Sequence, residues 1–207
     1  MLYLVRHGQT EANAGGLIQG QSDFDLTDLG RRQAEALAAA LPTDAAVIAS
    51  PLRRALLTAA PIAGERPITV DPRWVEMDFG DLDGKTVAEV RGELWSRWGQ
   101  DVNWAPGGGE SLASVHRRVA EACAELAPRL ASEDVIVVTH VSPIKAAIAW
   151  ALDVSPLIAG RMFVEQASVA TVVIGRDDAR PVLRSFNDLS ATALLEPGTG
   201  GRAGSAG

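Results

Sequence analysis

Two apolar runs far apart in the chain, residues 1–5 and 135–139, each lead into a histidine. The first run is followed by Arg6 and His7, and the second directly by His140. Both runs have the composition of short buried strands. In open α/β sheets, ligands bind beyond the carboxyl ends of the strands. We therefore expect both histidines at one edge of a sheet, facing a binding site.

The residues around the first histidine favour an anion over a metal ion. Arg6 places a guanidinium beside the imidazole of His7, which is unfavourable for a bound cation and suited to a phosphate. Gly8 lets the backbone bend close to a ligand. A surface loop with the same residues is the alternative, and this motif alone does not decide between the two.

A second cationic segment follows the predicted strand at residues 45–49. Ser50 as N-cap and Pro51 at the first helical position mark the start of a helix, which puts Arg53 and Arg54 in its first turn. Two cations there oppose the helix dipole unless an anion binds in front of the helix. The alternative is one arginine in a surface salt bridge and one with its stem packed along the surface.

Residues 74–110 form the third informative segment. It contains Glu76, several glycines that indicate a compact loop, and four of the five tryptophans of the chain. Such apolar bulk in one inserted segment predicts a lid over a site, although tryptophans are more often part of a core. The glycine-rich stretch at 106–111 is no P-loop, because no Gly-Lys-Ser/Thr follows it.

Size and composition restrict the class of protein. The 207 residues predict one catalytic domain over residues 1–190 and a flexible, glycine-rich tail over 191–207. A net charge of −7 argues against a nucleic-acid partner, although a locally basic pocket can still attract an anion. No run predicts a leader peptide or a membrane span, so we expect a cytoplasmic protein. The single cysteine, Cys123, is expected in the core.

Together these segments favour phosphoryl transfer. A zinc site would not have arginines beside it, and the motifs of serine hydrolases and P-loop kinases are missing. In the favoured chemistry, a histidine ring nitrogen attacks phosphorus, while arginines and the second histidine hold the phosphoryl oxygens. Glu76 protonates the leaving alcohol and then deprotonates water. Because side-chain cations form the clamp, no metal or other cofactor is needed.

The chain resembles the histidine phosphatase superfamily in its phosphoglycerate-mutase-like branch. The matching motifs are Arg6-His7-Gly8-Gln9-Thr10-Glu11-Ala12-Asn13, Gln19-Gly20, Leu26-Thr27-x-x-Gly30-x-x-Gln33-Ala34, Ser50-Pro51-Leu52-x-Arg54-Ala55-x-x-Thr58-Ala59, Glu76-x-x-Phe79-Gly80-x-x-x-Gly84, Gly108-Gly109-Glu110-Ser111 and Thr139-His140. The resemblance implies an α/β fold, a three-layer α/β/α sandwich with a mostly parallel central sheet. The segment from His140 to Lys145 is similar to that of α-ribazole-phosphatase and acid-phosphatase-like relatives.

The resemblance also implies the roles of individual residues. His7 is the phosphorylated nucleophile, and Glu76 is the acid and base. The phosphate- and substrate-binding residues that it implies are Arg6, Asn13, Gln19, Gly20, Arg53 and His140. Of the two arginines, the spacing of three residues after the serine selects Arg53, so that Arg54 faces outward or has a supporting role. Leu82-Asp83 replaces the Trp-Glu pair of many relatives, which is expected to affect substrate fit.

The predicted function is that of a metal-independent phosphomonoesterase that acts on a small phosphorylated metabolite through phospho-His7. Two alternatives stay open: a cofactor-dependent phosphoglycerate mutase and a non-catalytic module that binds a phosphorylated ligand. The mutase ranks second, because the segment between the Glu76 motif and the glycine-rich loop is short. A homodimer formed through a sheet edge is compatible with the sequence, which gives no evidence for or against it.

Overall fold

The computed structural model describes residues 1–174 and 180–195, without the side chains of residues 91 and 93–95. The sequence also predicts a turn around Asp177-Asp178 between two closing strands; this turn and the tail residues 196–207 lie outside the described residues. No helix of the described part is both long and apolar enough to cross a membrane.

Within these residues, six strands form a single sheet with helices between them. The strands are β1 (Leu2–Arg6), β2 (Ala46–Ala49), β3 (Ile68–Val70), β4 (Val135–Thr139), β5 (Val169–Ile174) and β6 (Pro181–Asp188). The α-helices are α1 (Glu11–Ala14), α2 (Asp28–Ala40), α3 (Arg53–Ala63), α4 (Val87–Trp98), α5 (Leu112–Leu126) and α6 (Val141–Ala151). Short 3-10 helices cover Pro72–Trp74, Gly80–Leu82, Arg129–Ala131 and Pro156–Arg161.

The order of the strands across the sheet is β3-β2-β4-β1-β5-β6. The first four strands in this order are mutually parallel. β5 runs antiparallel to β1, and β6 runs antiparallel to β5. The predicted, mostly parallel central sheet is therefore confirmed.

The sheet is buried on both faces. Alternate residues of β1 and β4 point to opposite sides, so that Leu4 and Val137 belong to one apolar cluster and Val5 and Val138 to another. The first cluster includes buried residues of α5 and α6, and the second includes those of α2 and α3. This arrangement confirms the three-layer α/β/α sandwich.

The apolar spacing of the sequence predicts a buried face for α5 at Leu112, Val115, Val119, Ala122, Cys123 and Leu126, and one for α2 at Leu29, Ala36, Leu37, Ala40 and Leu41. The first prediction is right and the second is partly wrong. In α5 the buried residues are the predicted ones: Leu112, Val115, Val119, Ala122, Cys123 and Leu126. In α2 the predicted residues Leu29 and Ala36 are only half-buried and Ala40 is exposed, whereas Gly30, Gln33, Ala34 and Leu37 are buried. The reason is that α2 packs against the backbone after His7: Gln9 N donates to Gln33 Oε1 at 2.9 Å.

Two glycines permit this close packing. A Cβ atom on Gly30 would lie 2.1 Å from the carbonyl oxygen of Gln9, and one on Gly8 would lie 2.4 Å from that of Gly30. Real Cβ atoms do not approach backbone oxygens so closely, so a side chain at either position would push the two segments apart. The loop that carries His7 is therefore held against α2 by backbone contact.

We expect Gly30→Ala to lower the free energy of unfolding by about 1–3 kcal/mol, because the added methyl overlaps with backbone that cannot move freely. The matched control is Gly92→Ala in α4, where an added Cβ meets no atom within 4 Å. This change should raise the free energy of unfolding by about 0.5–1 kcal/mol through helix propensity. Urea unfolding of the two variants measures both effects, and equal stability of both would contradict the close-contact argument.

Candidate active site

The pairing of β1 with β4 brings the two histidines together. Arg6 is paired with Thr139, so His7 and His140 both lie one residue beyond the end of their strands. The amide of His7 donates to the carbonyl of Thr139 at 3.0 Å. The two imidazole rings are 5.1 Å apart, centroid to centroid. β2 flanks β4 on its other side, which places Ser50 at the same edge of the sheet.

The geometry around His7 leaves one ring nitrogen available. Nδ1 lies 2.8 Å from the carbonyl oxygen of Gly8, and since a carbonyl only accepts, Nδ1 carries the proton. Nε2 therefore holds the lone pair. Burial, together with the nearby Arg6 and Arg54 guanidinium groups, holds the pKa of His7 well below its ordinary value. The imidazole is thus neutral at physiological pH.

The second histidine is fixed from both sides. Arg54 Nε donates to His140 Nδ1 at 3.2 Å, so the proton of His140 is on Nε2, which donates to Ser50 Oγ at 2.7 Å. Burial and the positive charge of Arg54 hold the pKa of His140 well below its ordinary value. Its ring is therefore neutral and fixed in one orientation.

Arg54 lies at the centre of this cluster. It is fully buried, with a relative exposure of 0%, and donates to the carbonyls of Gly20 and Ser22 at 2.6 and 2.9 Å. Burial lowers the pKa of its guanidinium from the ordinary value. Thr58, one turn further along α3, donates to the Arg54 carbonyl and accepts from the amide of Gly8 at 3.0 Å. Arg54 is thereby linked to both histidine loops.

Arg53, the arginine selected from the sequence, lies elsewhere. Its side chain is 61% exposed and forms an ion pair with Asp25, while its amide donates to Asp23 at 2.9 Å. The structure does not bring Arg53 together with His7, contrary to the expectation that Arg53 belongs to the site. Of the two expectations for Arg54, an outward orientation is wrong, because the residue is buried. The ion pair between Arg53 and Asp25 agrees with the alternative that one of the two arginines forms a surface salt bridge.

The phase of α3 explains the difference. The helix begins at Arg53 with Leu52 as N-cap, two residues later than predicted, and Ser50 is free to bind His140 instead of capping the helix. The buried positions of α3 are Arg54, Ala55, Thr58, Ala59, Ile62 and Ala63. Arg54 lies four residues before Thr58, on the same buried face of α3. This helical spacing can be read from the sequence and would have indicated that Arg54 is the buried arginine.

Glu76 is held by backbone amides. One oxygen accepts from the amides of Met77 and Ser142 at 2.7 and 3.1 Å, and the other accepts from that of Val141 at 3.1 Å. Val141 and Ser142 form the first turn of α6, where unpaired amides and the helix dipole stabilise a carboxylate. The side chain is buried, with 4% relative exposure, directly beside the His140 loop.

A cavity of about 780 Å³ adjoins this cluster. Arg6, Asn13, Gln19 and Glu76 line its polar end. Arg6 Nε and Gln19 Nε2 are buried donors for which the described residues supply no acceptor. The Nη1 atom of Arg6 donates to the carbonyl of Val164 at 2.7 Å. Burial lowers the pKa of Arg6 to about 10. Buried donors without acceptors are costly, so this end of the cavity is suited to an oxygen-rich anion.

The Trp-rich segment contributes to both core and cavity. Trp74 is fully buried in the core. Phe79 and Trp98 line the cavity, with ring centroids 5.9 Å apart, and Trp104 packs against Trp98 at 6.3 Å. A role of residues 74–110 as a lid stays a prediction.

Asp83 forms hydrogen bonds to the loop at residues 20–22, whose carbonyls accept from Arg54. Its carboxylate accepts from the amide of Gly20 at 2.8 Å and from the hydroxyl of Ser22 at 2.6 Å. Gly20 itself is not part of the cavity wall, whereas its neighbour Gln19 is. Gly20 is thus placed to orient Arg54 through its carbonyl, and Asp83 acts on the site through this loop.

Several relatives of known name are similar to this chain. Over 189 residues, the chain is 37% identical to a bifunctional protein of Mycobacterium tuberculosis, in a match that covers 87% of this chain and 52% of the relative. It is 45% identical over 125 residues to a glucosyl-3-phosphoglycerate phosphatase of Mycolicibacterium vanbaalenii, covering 56% and 55% of the two chains. The chain thus spans about half the length of these relatives. It is 35% identical to a metal-independent phosphoserine phosphatase of Arabidopsis thaliana, covering 98% of this chain and 88% of the relative.

Solved structures and a family model agree with these matches. The phosphoserine phosphatase of Entamoeba histolytica, solved in complex with phosphoserine, superimposes with a TM-score of 0.84 at 30% identity, covering 92% of this chain and 98% of that one. An Escherichia coli protein described as a putative α-ribazole-5′-phosphate phosphatase gives a TM-score of 0.78 at 29% identity, covering 90% and 95%. The model of the histidine phosphatase superfamily, branch 1, matches residues 2–189. The chain therefore belongs to the histidine phosphatase superfamily.

Proposed function

We propose that this protein is a metal-independent phosphomonoesterase that works through a phosphohistidine on His7. The observation that carries the proposal is the fixed tautomer of His7: the Nδ1–H bond to Gly8 leaves the Nε2 lone pair free, beside the buried guanidinium groups of Arg6 and Arg54. A neutral imidazole next to an anion-binding pocket is an activated nucleophile for phosphorus.

In the first step, His7 Nε2 attacks phosphorus and the bond from phosphorus to the ester oxygen breaks. The carboxyl group of Glu76 gives its proton to the leaving oxygen, and Arg6 and Arg54 stabilise the charge on the phosphoryl oxygens. Glu76 lines the same cavity as Arg6, and its charge acts on both arginines, which supports this assignment.

In the second step, water attacks phosphorus and the bond from phosphorus to Nε2 breaks. Glu76, now a carboxylate, takes a proton from the water, so that inorganic phosphate and free His7 are formed and Glu76 is ready for the next cycle. The amides of Met77, Val141 and Ser142 hold the Glu76 carboxylate in one place for both transfers.

The substrate that we propose is a small phosphomonoester with a carboxylate in its alcohol part. Relatives and structural neighbours carry the names of phosphoserine and glucosyl-3-phosphoglycerate phosphatases, and one was solved with 3-phosphoglyceric acid. All three compounds combine a phosphoester with a carboxylate. The cavity volume of about 780 Å³ is within the range for small-molecule sites and leaves room beyond the phosphate.

The first test is release of phosphate from p-nitrophenyl phosphate and 3-phosphoglycerate in the presence of EDTA. We expect release by the wild type and loss of release in His7→Ala. With ³²P-labelled substrate and a rapid acid-free quench, wild type should retain base-stable, acid-labile label on the protein, and His7→Ala should retain none. Conversion of 3-phosphoglycerate to 2-phosphoglycerate without phosphate release would indicate a mutase, and binding without turnover would indicate a binding module.

Glu76→Gln should separate the two kinds of leaving group. The variant keeps an oxygen acceptor for the α6 amides but cannot donate a proton, so kcat for an alkyl phosphate should fall by about 10²–10⁴-fold. With p-nitrophenyl phosphate, whose leaving group needs little protonation, the loss in the phosphorylation step should be much smaller. Burst kinetics measure this step apart from hydrolysis of the phosphoenzyme. Equal losses on both substrates would exclude Glu76 as the general acid.

Arg54 and Arg53 offer a matched pair of substitutions. Arg54→Ala should lower kcat/KM by about 10²–10³-fold, the cost of one lost donor to a transition-state oxyanion. Arg53→Ala should change it by less than about threefold, because an exposed ion pair contributes little. Arg54→Lys keeps the charge and serves as a control for folding, which circular dichroism checks. A larger loss in Arg53→Ala than in Arg54→Ala would reverse the assignment.

A further inference from the structure

Lys145 is a partly buried cation that the mechanism above does not use. It is one of only two lysines in the chain, the other being the exposed Lys85. It lies in the second turn of α6, four residues after Val141, and lines the cavity together with Arg6 and Glu76. The same cavity is therefore lined by the Arg6 guanidinium, the Glu76 carboxylate and a separate ammonium group.

The ammonium group is incompletely satisfied by the protein. Nζ donates to the carbonyl of Ala159 at 2.9 Å, which uses one of its three hydrogens. Within the described residues, Lys145 forms no ion pair with a carboxylate, and the oxygens of Glu76 accept from backbone amides instead. A partly buried cation without an anionic partner costs free energy that a bound anion would offset.

We propose that Lys145 determines specificity by binding a second anionic group, a carboxylate or a second phosphate, on the alcohol part of the substrate. This inference rests on the proposed function, since the phosphoester is taken to bind at Arg6 and Gln19. Many of the other lining residues are apolar, among them Phe79, Trp98 and Leu157. Apart from Arg6, the cations that line the cavity are Lys145 and Arg161, so an anion on the alcohol part has few cationic partners there.

Two merely structural roles are conceivable for Lys145: tying the 3-10 helix over Pro156–Arg161 to α6, or tuning Glu76. Either role would affect all substrates alike. Recognition of a second anion instead affects only substrates that have one. Pairs of substrates that differ in this group alone therefore distinguish the roles.

The experiment compares Lys145→Met with the matched control Lys85→Met on two substrate pairs. The first pair is 3-phosphoglycerate and glycerol 3-phosphate, which differ only in a carboxylate. The second is fructose 1,6-bisphosphate and fructose 6-phosphate, which differ in a second phosphate. We expect Lys145→Met to lower kcat/KM by about 10–100-fold, mainly through KM, for the substrate with the second anionic group that Lys145 binds: 3-phosphoglycerate if this group is a carboxylate, or fructose 1,6-bisphosphate if it is a phosphate. The other member of that pair should change by less than about threefold, and Lys145→Arg should recover part of the loss.

The pH dependence gives an independent readout. Burial lowers the pKa of Lys145 to about 8, with the Glu76 carboxylate opposing this shift and Arg6 adding to it. Other titratable or charged groups near it are Arg161 on the cavity wall and His116 on α5, against which α6 packs. The lysine is charged below pH 8 and neutral above it. The ratio of kcat/KM between 3-phosphoglycerate and glycerol 3-phosphate should therefore fall above pH 8 in wild type and be flat in Lys145→Met.

Binding separates failure of this inference from failure of the proposed function. In the His7→Ala background, calorimetry with 3-phosphoglycerate should show about 10–100-fold weaker binding when Lys145→Met is added. If wild type releases phosphate but Lys145→Met lowers both members of each pair equally, Lys145 has a structural role and the specificity inference is wrong. If no substrate is turned over but the binding difference persists, the proposed catalysis is wrong while anion recognition by Lys145 stands.

Discussion

The pairing register of β1 and β4 determines the site. With Arg6 opposite Thr139, the amide of His7 bonds to the Thr139 carbonyl, and both histidines leave the sheet at the same level. A shift of one residue would send the side chains of one strand to the opposite face and separate the rings. The register is strongly specified, because every residue of β4 is buried and each face of the sheet packs against its own pair of helices.

Local patterns in the sequence predicted most of this frame. Apolar runs that end in His7 and His140 give the two central strand ends, and the amphipathic spacing of α5 gives its buried face residue by residue. These features are set by local chemistry: a buried strand needs a continuous apolar run, and a helix buries one stripe. Glu76 was singled out as a carboxylate in the segment 74–110, but nothing local in the sequence indicates that the amides of α6 hold it.

The choice between Arg53 and Arg54 shows what local patterns do not determine. Arg53 was selected by its spacing from Ser50, and adjacent helical residues point about 100° apart, so a choice that is one residue off selects a side chain on a different face of α3. The actual phase follows from tertiary contacts: Thr58 bonds to the Gly8 amide, and the small residues of α3 pack against the sheet. The same holds for α2, whose rotation follows from its backbone contact with Gln9. Contacts between distant segments thus decided both cases in which the sequence-based expectation failed.

The site has an excess of positive charge, although the chain as a whole is negatively charged. The whole chain carries a net charge of −7, yet the buried Arg6 and Arg54 and the partly buried Lys145 all lie near a single buried carboxylate, Glu76. Burial lowers the pKa of each of the three cations, which reflects the free energy spent in removing them from water. Both histidines stay neutral in this environment. An incoming anion therefore meets a local excess of positive charge that its own binding neutralises.

Helix α6 unites several of these features on one rigid body. His140 is its N-cap, its first-turn amides hold Glu76, and Lys145 follows one turn later. On the proposed mechanism, the groups held by the start of α6 and the side chain that binds the rest of the substrate lie on one helix, one turn of about 5.4 Å apart. Evolution or design can exchange the residue at position 145 without moving the backbone that positions the histidine and the glutamate. On this proposal, a change of one side chain alters the choice of substrate, whereas a displacement of the helix would alter every part of the chemistry together.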